Sequence, residues 1–155
     1  MTYLKAIGLG VVAGLRSMTA PAVLSRHLAD AQPSPLADSP LAFMGKREVA
    51  NGFVVLAAGE MIADKLPFMP SRTEPPGLIG RALSGALVGA AIAAHEKKCP
   101  YSGATLGVVA AVAATFAAYH LRKQIGETFH VPDPAVAIGE DVVAVATGQC
   151  VLEQA

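Results

Sequence analysis

Five apolar segments, interrupted by only a few charges, constrain this chain more than any other feature. At about 1.5 Å of rise per residue, a helix over such a segment approaches the roughly 30 Å thickness of a bilayer's hydrocarbon core. Proline-rich or charged connections separate the segments. The pattern predicts an all-α fold, a polytopic membrane helical bundle that forms a single transmembrane domain over residues 1–155. The segments cover residues 6–24, 49–66, 77–94, 104–121 and 135–152.

The composition supports a membrane location and disfavours several other classes of protein. Hydrophobic residues make up 53% of the chain and charged residues only 15%, against about 25% charged residues in a soluble domain. Twelve basic and twelve acidic residues cancel, so no basic excess favours nucleic acid as a partner. Cys99, Cys150 and four scattered histidines lack metal-ligand spacing. We therefore expect membrane lipid as a partner, and no metal or other cofactor.

The first segment, 6–24, contains a charge and a helix breaker. Arg16 interrupts the apolar run, and Pro21 with the preceding glycines predicts a helix that is kinked or broken near Arg16–Ser17. The alternative is a secretory signal with Lys5 as its basic region. The position of Arg16 inside the apolar run disfavours that alternative.

The second and third segments carry three charges that can meet. Glu60 and Asp64 are four residues apart and share one helical face. The connection over 67–76 is short and proline-rich, which predicts an antiparallel hairpin. Glu60 lies about 9 Å of helical rise before this connection and Arg81 about 6 Å after its end. The hairpin therefore predicts that Glu60 and Arg81 lie at a similar depth.

Small residues mark a contact face on the third segment. Arg81, Gly85, Gly89 and Ala93 follow one another at steps of four. Small residues let helix backbones approach closely in lipid, where packing rather than hydrophobic collapse drives association. The stripe predicts close contact with another helix.

An internal similarity suggests a 2+1+2 inverted repeat with broken or kinked helices. Residues 9–13 have the same sequence as 106–110, and Gly59–Glu60 is echoed by Gly139–Glu140. With one segment between them, the two halves would have opposite orientations, as in many transporters. Coincidence in an Ala/Val/Gly-rich chain is the alternative. With five spans the basic residues divide almost evenly between the two sides, so dual insertion and an antiparallel homodimer are also open.

Several motifs together resemble the domain-of-unknown-function 4126 family of small bacterial integral membrane proteins. They are residues 14–19, Gly59–Glu60, residues 64–67, residues 70–72, Gly80–Arg81 and Glu140–Asp141. The resemblance extends over nearly the whole chain. It implies a multi-pass protein of the bacterial inner membrane, and it supplies no activity. The positions that it carries over are Arg16, Glu60, Asp64, Lys65, Ser71, Arg72, Arg81, Glu140 and Asp141.

Charges at bilayer depth are costly and usually line a cavity or a path. The candidate site comprises Arg16, Ser17, Glu60, Asp64 and Arg81, which would bind a small ion or polar solute. Backbone N–H groups at the broken helix, with the two arginines, would hold an anionic group, and the acids would supply countercharge or proton coupling. Supporting residues are Lys65, Ser71, Arg72, Glu140 and Asp141.

Three functional classes are compatible with these features. The first is a conduit or carrier, expected to be a homo-oligomer. The second is a non-transporting membrane scaffold or lipid-contacting protein, in which the same charges form structural salt bridges. The third is a soluble helical bundle. An enzyme is not expected, because the serines lack a nucleophile-elbow setting and no phosphate-binding loop is present.

Overall fold

The computed structural model describes residues 1–31, 36, 39–64, 74–129 and 133–153. The described residues form six α-helices and one 3₁₀ turn joined by linkers, and no strand occurs among them, which confirms the all-α prediction. The helices are α1 (Thr2–Leu15), α2 (Thr19–Asp30), α3 (Arg47–Ala63), α4 (Pro75–His95), α5 (Pro100–Phe129) and α6 (Asp133–Glu153), and the 3₁₀ turn is Ala42–Gly45.

The first apolar segment forms two helices rather than one. Helix α1 ends at Leu15, and Arg16 takes an extended conformation (φ −142°, ψ 113°), so the helical hydrogen-bond pattern stops there. Helix α2 begins at Thr19 after the short linker. The predicted break near Arg16–Ser17 is thus confirmed, and the segment 6–24 is not a single continuous helix.

Helix α2 folds back toward the end from which α1 came. Near the start of α1, Lys5 forms an ion pair with Glu96, just beyond α4. Near the end of α2, the ring of His27 lies against that of His95, with 6.2 Å between the ring centroids. The start of α1 and the end of α2 therefore both lie next to the C-terminal end of α4. We call this end of the bundle the Glu96 end, and the α1–α2 pair the re-entrant hairpin.

The other four helices alternate in direction. An ion pair between Asp30 and Arg47 places the start of α3 at the Glu96 end. Helix α4 returns toward Glu96, α5 leads away from it, and α6 returns, so that Val151 packs against Gly8 of α1. The opposite end of the bundle, where α3 finishes and α4 begins, is called the Arg122 end.

Three described helices are long and apolar enough to cross a membrane: α4, α5 from 100 to 128, and α6 from 135 to 153. They agree with the predicted segments 77–94, 104–121 and 135–152. Helix α3 has 17 residues, about 25 Å of rise, and α1 is shorter still with 14. Five spanning segments are therefore not confirmed, because the first segment is divided into the two arms of the hairpin.

Glycines bring α1, α4 and α5 together. A Cβ added at Gly85 would lie 2.5 Å from the carbonyl oxygen of Gly107, and one added at Gly10 would lie 2.6 Å from the same oxygen. Gly89 packs in the same way against Gly103. The contact predicted for the small-residue stripe is confirmed, with α5 as its partner. Buried aliphatic side chains fill the space around these contacts, among them Leu9, Val12, Val88 and Ile92.

The inverted-repeat prediction is not confirmed. Gly10 packs against Gly107 and Gly14 against Ala111, so α1 and α5 are parallel, whereas an inverted repeat would make them antiparallel. The two similar stretches contact each other directly. Their resemblance has a packing reason, since both helices need small residues where their backbones meet.

Candidate functional site

The tip of the re-entrant hairpin, defined as residues 16–18, is held by hydroxyl groups from two other helices. The end of a helix leaves carbonyl groups without intrahelical partners. Thr115 of α5 shares its hydroxyl proton between the carbonyl of Ala111 in its own helix, at 2.8 Å, and that of Gly14, just before the tip, at 3.2 Å. Ser84 of α4 donates its hydroxyl to the carbonyl of Ser17. These bonds stabilise backbone groups that the break exposes.

Glu60 from α3 caps the start of α2. Its Oε1 accepts hydrogen bonds from the backbone N–H and from the hydroxyl of Ser17, both at 2.9 Å. Its Oε2 accepts one from the N–H of Met18 at 2.8 Å. A carboxylate is favourable at a helix N-terminus because of the helix dipole and the unpaired N–H groups. The anion position predicted at this broken helix is therefore filled by a side chain of the protein itself.

Arg16 lies in the interior between two carboxylates. Its side chain is 0% exposed; Nη1 lies 2.9 Å from Oδ2 of Asp64, and Nε lies 2.6 Å from Oδ1 of Asp141. The charged atoms are close, but the N–H groups do not point at the carboxylate oxygens. Within the described ranges none of the three guanidinium nitrogens has a hydrogen-bond partner with good geometry. Arg16 thus connects the hairpin tip to α3 and α6 by charge more than by directed hydrogen bonds.

Arg122 extends this cluster and was missed as a site residue from the sequence. Its Nη1 lies 3.7 Å from Oδ2 of Asp64 and 3.6 Å from Oε2 of Glu140. The sequence placed Arg122 just past the end of the fourth segment, whereas α5 continues to Phe129. A continuation of helical periodicity beyond residue 121 was the signal that could have found it.

The remaining predicted residues are placed as follows. Arg81 is buried on α4, one turn before Ser84, at 4% exposure. Among the described residues no ion pair joins Glu60 to Arg81, because Glu60 caps α2 instead. Glu140 and Asp141, predicted as supporting residues, contact Arg122 and Arg16 directly. Lys65, Ser71 and Arg72 lie outside the described residues.

The described cluster has more acids than bases. Four carboxylates and three guanidiniums come from α3, α4, α5, α6 and the hairpin tip. The arginines stand between the acids, and nowhere in the described ranges do three or more His, Cys, Asp or Glu side chains group as metal ligands would. The members are Arg16, Glu60, Asp64, Arg81, Arg122, Glu140 and Asp141, which we call the tip cluster.

A comparison with protein families gives one match. The profile described as "Domain of unknown function (DUF4126)" matches residues 4–152, nearly the whole chain. The chain belongs to the DUF4126 family. The predicted family is confirmed, and the match includes the tip of the re-entrant hairpin and every member of the tip cluster. Neither the curated proteins nor the solved structures gave a significant match.

The hairpin tip of this DUF4126 member lies near the middle of its longest helix. Thr115, which contacts Gly14 next to the tip, is close to the midpoint of Pro100–Phe129, about 22 Å from either end. Arg122 is about 10 Å farther along α5. The tip cluster thus occupies a layer between the centre of α5 and the Arg122 end.

A second polar cluster of this DUF4126 member closes the Glu96 end. The carboxylate of Glu96 accepts hydrogen bonds from Nζ of Lys5 at 2.7 Å and from the hydroxyl of Thr2. Burial acts to raise the pKa of Glu96, but the hydrogen bonds from Lys5 and Thr2 outweigh it and leave the pKa below its ordinary value. This cluster ties the start of α1 to the end of α4.

Proposed function

We propose that this protein is a multi-pass protein of the bacterial inner membrane that moves a small ion across it and catalyses no reaction. Protonation of the tip-cluster carboxylates would be the coupling step. The observation that carries the proposal is the wholly buried Arg16, which lies between Asp64 and Asp141 at a break in a re-entrant helix.

The first support is the cost of such an arrangement in a membrane. Irregular backbone at membrane depth is tolerated only where protein buries it or where it lines a hydrated cavity. Ionisable groups there are expensive and often mark ion or proton paths. Broken helices that meet near the membrane centre are also the common form of transporter binding sites.

The second support concerns the sign of the ion. Glu60 already occupies the N-terminus of α2, and two aspartates already neutralise Arg16. An incoming anion would have to displace one of these carboxylates, whereas a proton can bind to them. For the transported species we therefore favour a proton or small cation at Asp64 or Asp141 over an anionic group at Arg16.

Protonation gives the tip two states. With both aspartates ionised, Arg16 is attracted to α3 and α6 together. A proton on Asp141 removes the attraction to α6 and leaves Arg16 held by Asp64. A ligand shifts such an equilibrium by its differential affinity for the two states, so proton binding can favour movement of α6 relative to the hairpin tip.

The scaffold is the second candidate, and the contacts of Glu60 favour it. All three described hydrogen bonds of this carboxylate go to the hairpin tip, which is what a structural lock requires. In that function the tip cluster fixes the fold, and a homodimer would display its outer surface to lipid or to other membrane proteins.

Proton flux into liposomes tests the proposal. We expect purified protein, reconstituted with a pH-sensitive dye inside and a potential imposed by potassium and valinomycin, to conduct protons well above protein-free vesicles. Asp141→Asn should reduce the rate at least tenfold, because it removes the exchangeable proton while keeping the shape. The exposed charge change Glu48→Gln is the matched control and should leave the rate unchanged.

Two results would contradict the proposal that the tip cluster carries transport. One is wild-type flux no faster than that of empty liposomes. The other is an unchanged flux in the Glu60→Gln, Arg81→Met double variant together with loss of the dimer on size-exclusion chromatography. That second result would assign these charges to assembly and favour the scaffold.

A further inference from the structure

A cleft lies between α2, α3 and α6, on the outer side of the re-entrant hairpin. Its volume is about 610 Å³. At the Glu96 end its mouth is polar and includes His27, Asp30 and Glu153. From there it follows α2 toward the hairpin tip, where Thr19 and Met61 line it.

A smaller cavity of about 380 Å³ continues from this cleft to the tip cluster. The two share Met61, Val145 and Gln149 as lining residues. Asp141, whose carboxylate is paired with Arg16, lines the smaller cavity. Together they connect the surface at the Glu96 end with the site at which we propose proton exchange.

Charged and amide side chains indicate what fills the cleft. Arg26, His27, Asp30 and Glu153 line its outer part, and Gln149 lies where the cleft meets the smaller cavity. The side chain of Asp141 in the smaller cavity is 14% exposed. Ionised and polar groups are costly to place against hydrocarbon, and water commonly hydrates them.

We propose that this cleft is a hydrated access path that carries water and protons from the Glu96 end to Asp141. The inference rests on the proposed function, which it deepens by naming the route and the side of entry. Polar groups occur at the mouth, along the wall at Gln149 and at the inner end, where Asp141 lies. A lipid acyl chain could fill the volume, but it would place the carboxylate of Asp141 and the amide of Gln149 against hydrocarbon.

Cysteine accessibility tests the path without any measurement of transport. In a Cys99→Ser, Cys150→Ser background, Ala58→Cys and Val145→Cys would place thiols on opposite walls of the cleft. Leu83→Cys is the control, because Leu83 is 65% exposed on α4 and lines none of these cavities. The probe is a charged methanethiosulfonate, which needs water and does not react with thiols in lipid.

In native membranes we expect both cleft thiols to react at least tenfold faster than Leu83→Cys. Equal rates at all three positions, or reaction of the cleft thiols with a lipophilic maleimide alone, would overturn the inference. Two cleft positions keep the test valid if one variant fails to fold.

The labelling and flux experiments distinguish a failure of the access path from a failure of the proposed function. Proton flux with unreactive cleft thiols would overturn the access path and leave the proposed function standing. Reactive cleft thiols without flux would support a hydrated cleft and contradict the proposed function.

Discussion

Arg16 is unusual because its charge lies wholly inside the protein. Removing one member of a buried charge pair leaves the other charge buried without compensation. This destabilises the fold more than replacing the whole pair by apolar residues. Asp64 and Asp141 both face Arg16, and Asp64 has a second, looser pair with Arg122. The loss of Arg16 therefore affects α3 and α6 at once.

We expect Arg16→Met to lower the free energy of unfolding by about 3–5 kcal/mol. Arg47→Met is the matched control. Arg47 and Asp30 also form an ion pair, but their side chains are 73% and 60% exposed, so that change should cost at most about 1 kcal/mol. Denaturation in detergent micelles measures both. Similar losses in the two variants would contradict the structural role of the buried pair.

The second residue-scale prediction concerns pH. Because the pKa of Glu96 is lowered in the folded protein, the unfolded chain binds a proton at this site more readily. The contribution of Glu96 to stability is therefore present above the ordinary glutamate pKa of about 4.3 and is lost as the pH falls through the lower folded value.

We accordingly expect the melting temperature to fall less on acidification in Glu96→Gln than in the wild type. The measurement is thermal unfolding from pH 7 to pH 3 in one detergent. Parallel curves for the two proteins would show that Glu96 does not contribute to the acid dependence.

At the scale of elements, close helix contact depends on a few glycines. A Cβ at Gly85 would lie 2.5 Å from a backbone oxygen of α5, while one at Gly80 on the same helix meets nothing within 4 Å. The two positions provide a matched pair, since the substitution and the helix are the same.

We expect Gly85→Ala to destabilise the protein by about 1–3 kcal/mol through overpacking. Gly80→Ala should be neutral or stabilise it by up to about 1 kcal/mol, because alanine is the better helix former. Detergent unfolding curves for both variants test this. If Gly85→Ala left the free energy of unfolding unchanged, the close contact between α4 and α5 would not contribute to stability.

The sequence predicted elements better than their connections. The apolar lengths predicted α4, α5 and α6, and the stripe on α4 predicted its contact. Arg16 and Pro21 predicted the break, because a charge and a helix breaker act locally. A kink and a complete reversal share this local pattern, however. The reversal depends on Glu60 capping α2 and on His27 meeting His95, contacts between residues far apart in sequence.

In the tip cluster, too, the sequence predicted local features but not contacts between distant residues. Arg16, Glu60 and Asp64 were identified because charges in apolar segments are conspicuous. The pairing of Arg16 with Asp141 and the membership of Arg122 could not be identified in this way, since each depends on which helices become neighbours. The similar depth predicted for Glu60 and Arg81 also did not reveal the partners of Glu60, because its hydrogen-bond donors are on the hairpin tip.

At the scale of the whole molecule, the re-entrant hairpin determines the topology. With five full spans, the start of the chain would lie on the opposite side from Cys99. The hairpin instead places the start of α1, the end of α2 and Cys99 together at the Glu96 end, with the last turns of α5 at the Arg122 end. The proposed access path needs this arrangement, because its mouth is formed by the end of α2.

Paired cysteine labelling in sealed vesicles tests this topology most directly. Cys99 is exposed, and hydrogen bonding with the backbone and side chain of Ser102 lowers its pKa, so its thiolate should react readily. In a Cys150→Ser background, it is paired with either Tyr3→Cys or Lys123→Cys, treated with an impermeant reagent and analysed by intact mass. Counting labels per molecule makes the result independent of the orientation in which the protein inserts.

The re-entrant hairpin predicts that molecules with Tyr3→Cys and Cys99 carry two labels or none, and that those with Lys123→Cys and Cys99 carry one. A single label on the Tyr3→Cys pair would place the start of α1 across the membrane from Cys99. That result would contradict the hairpin and, with it, the buried tip cluster on which the proposed function depends.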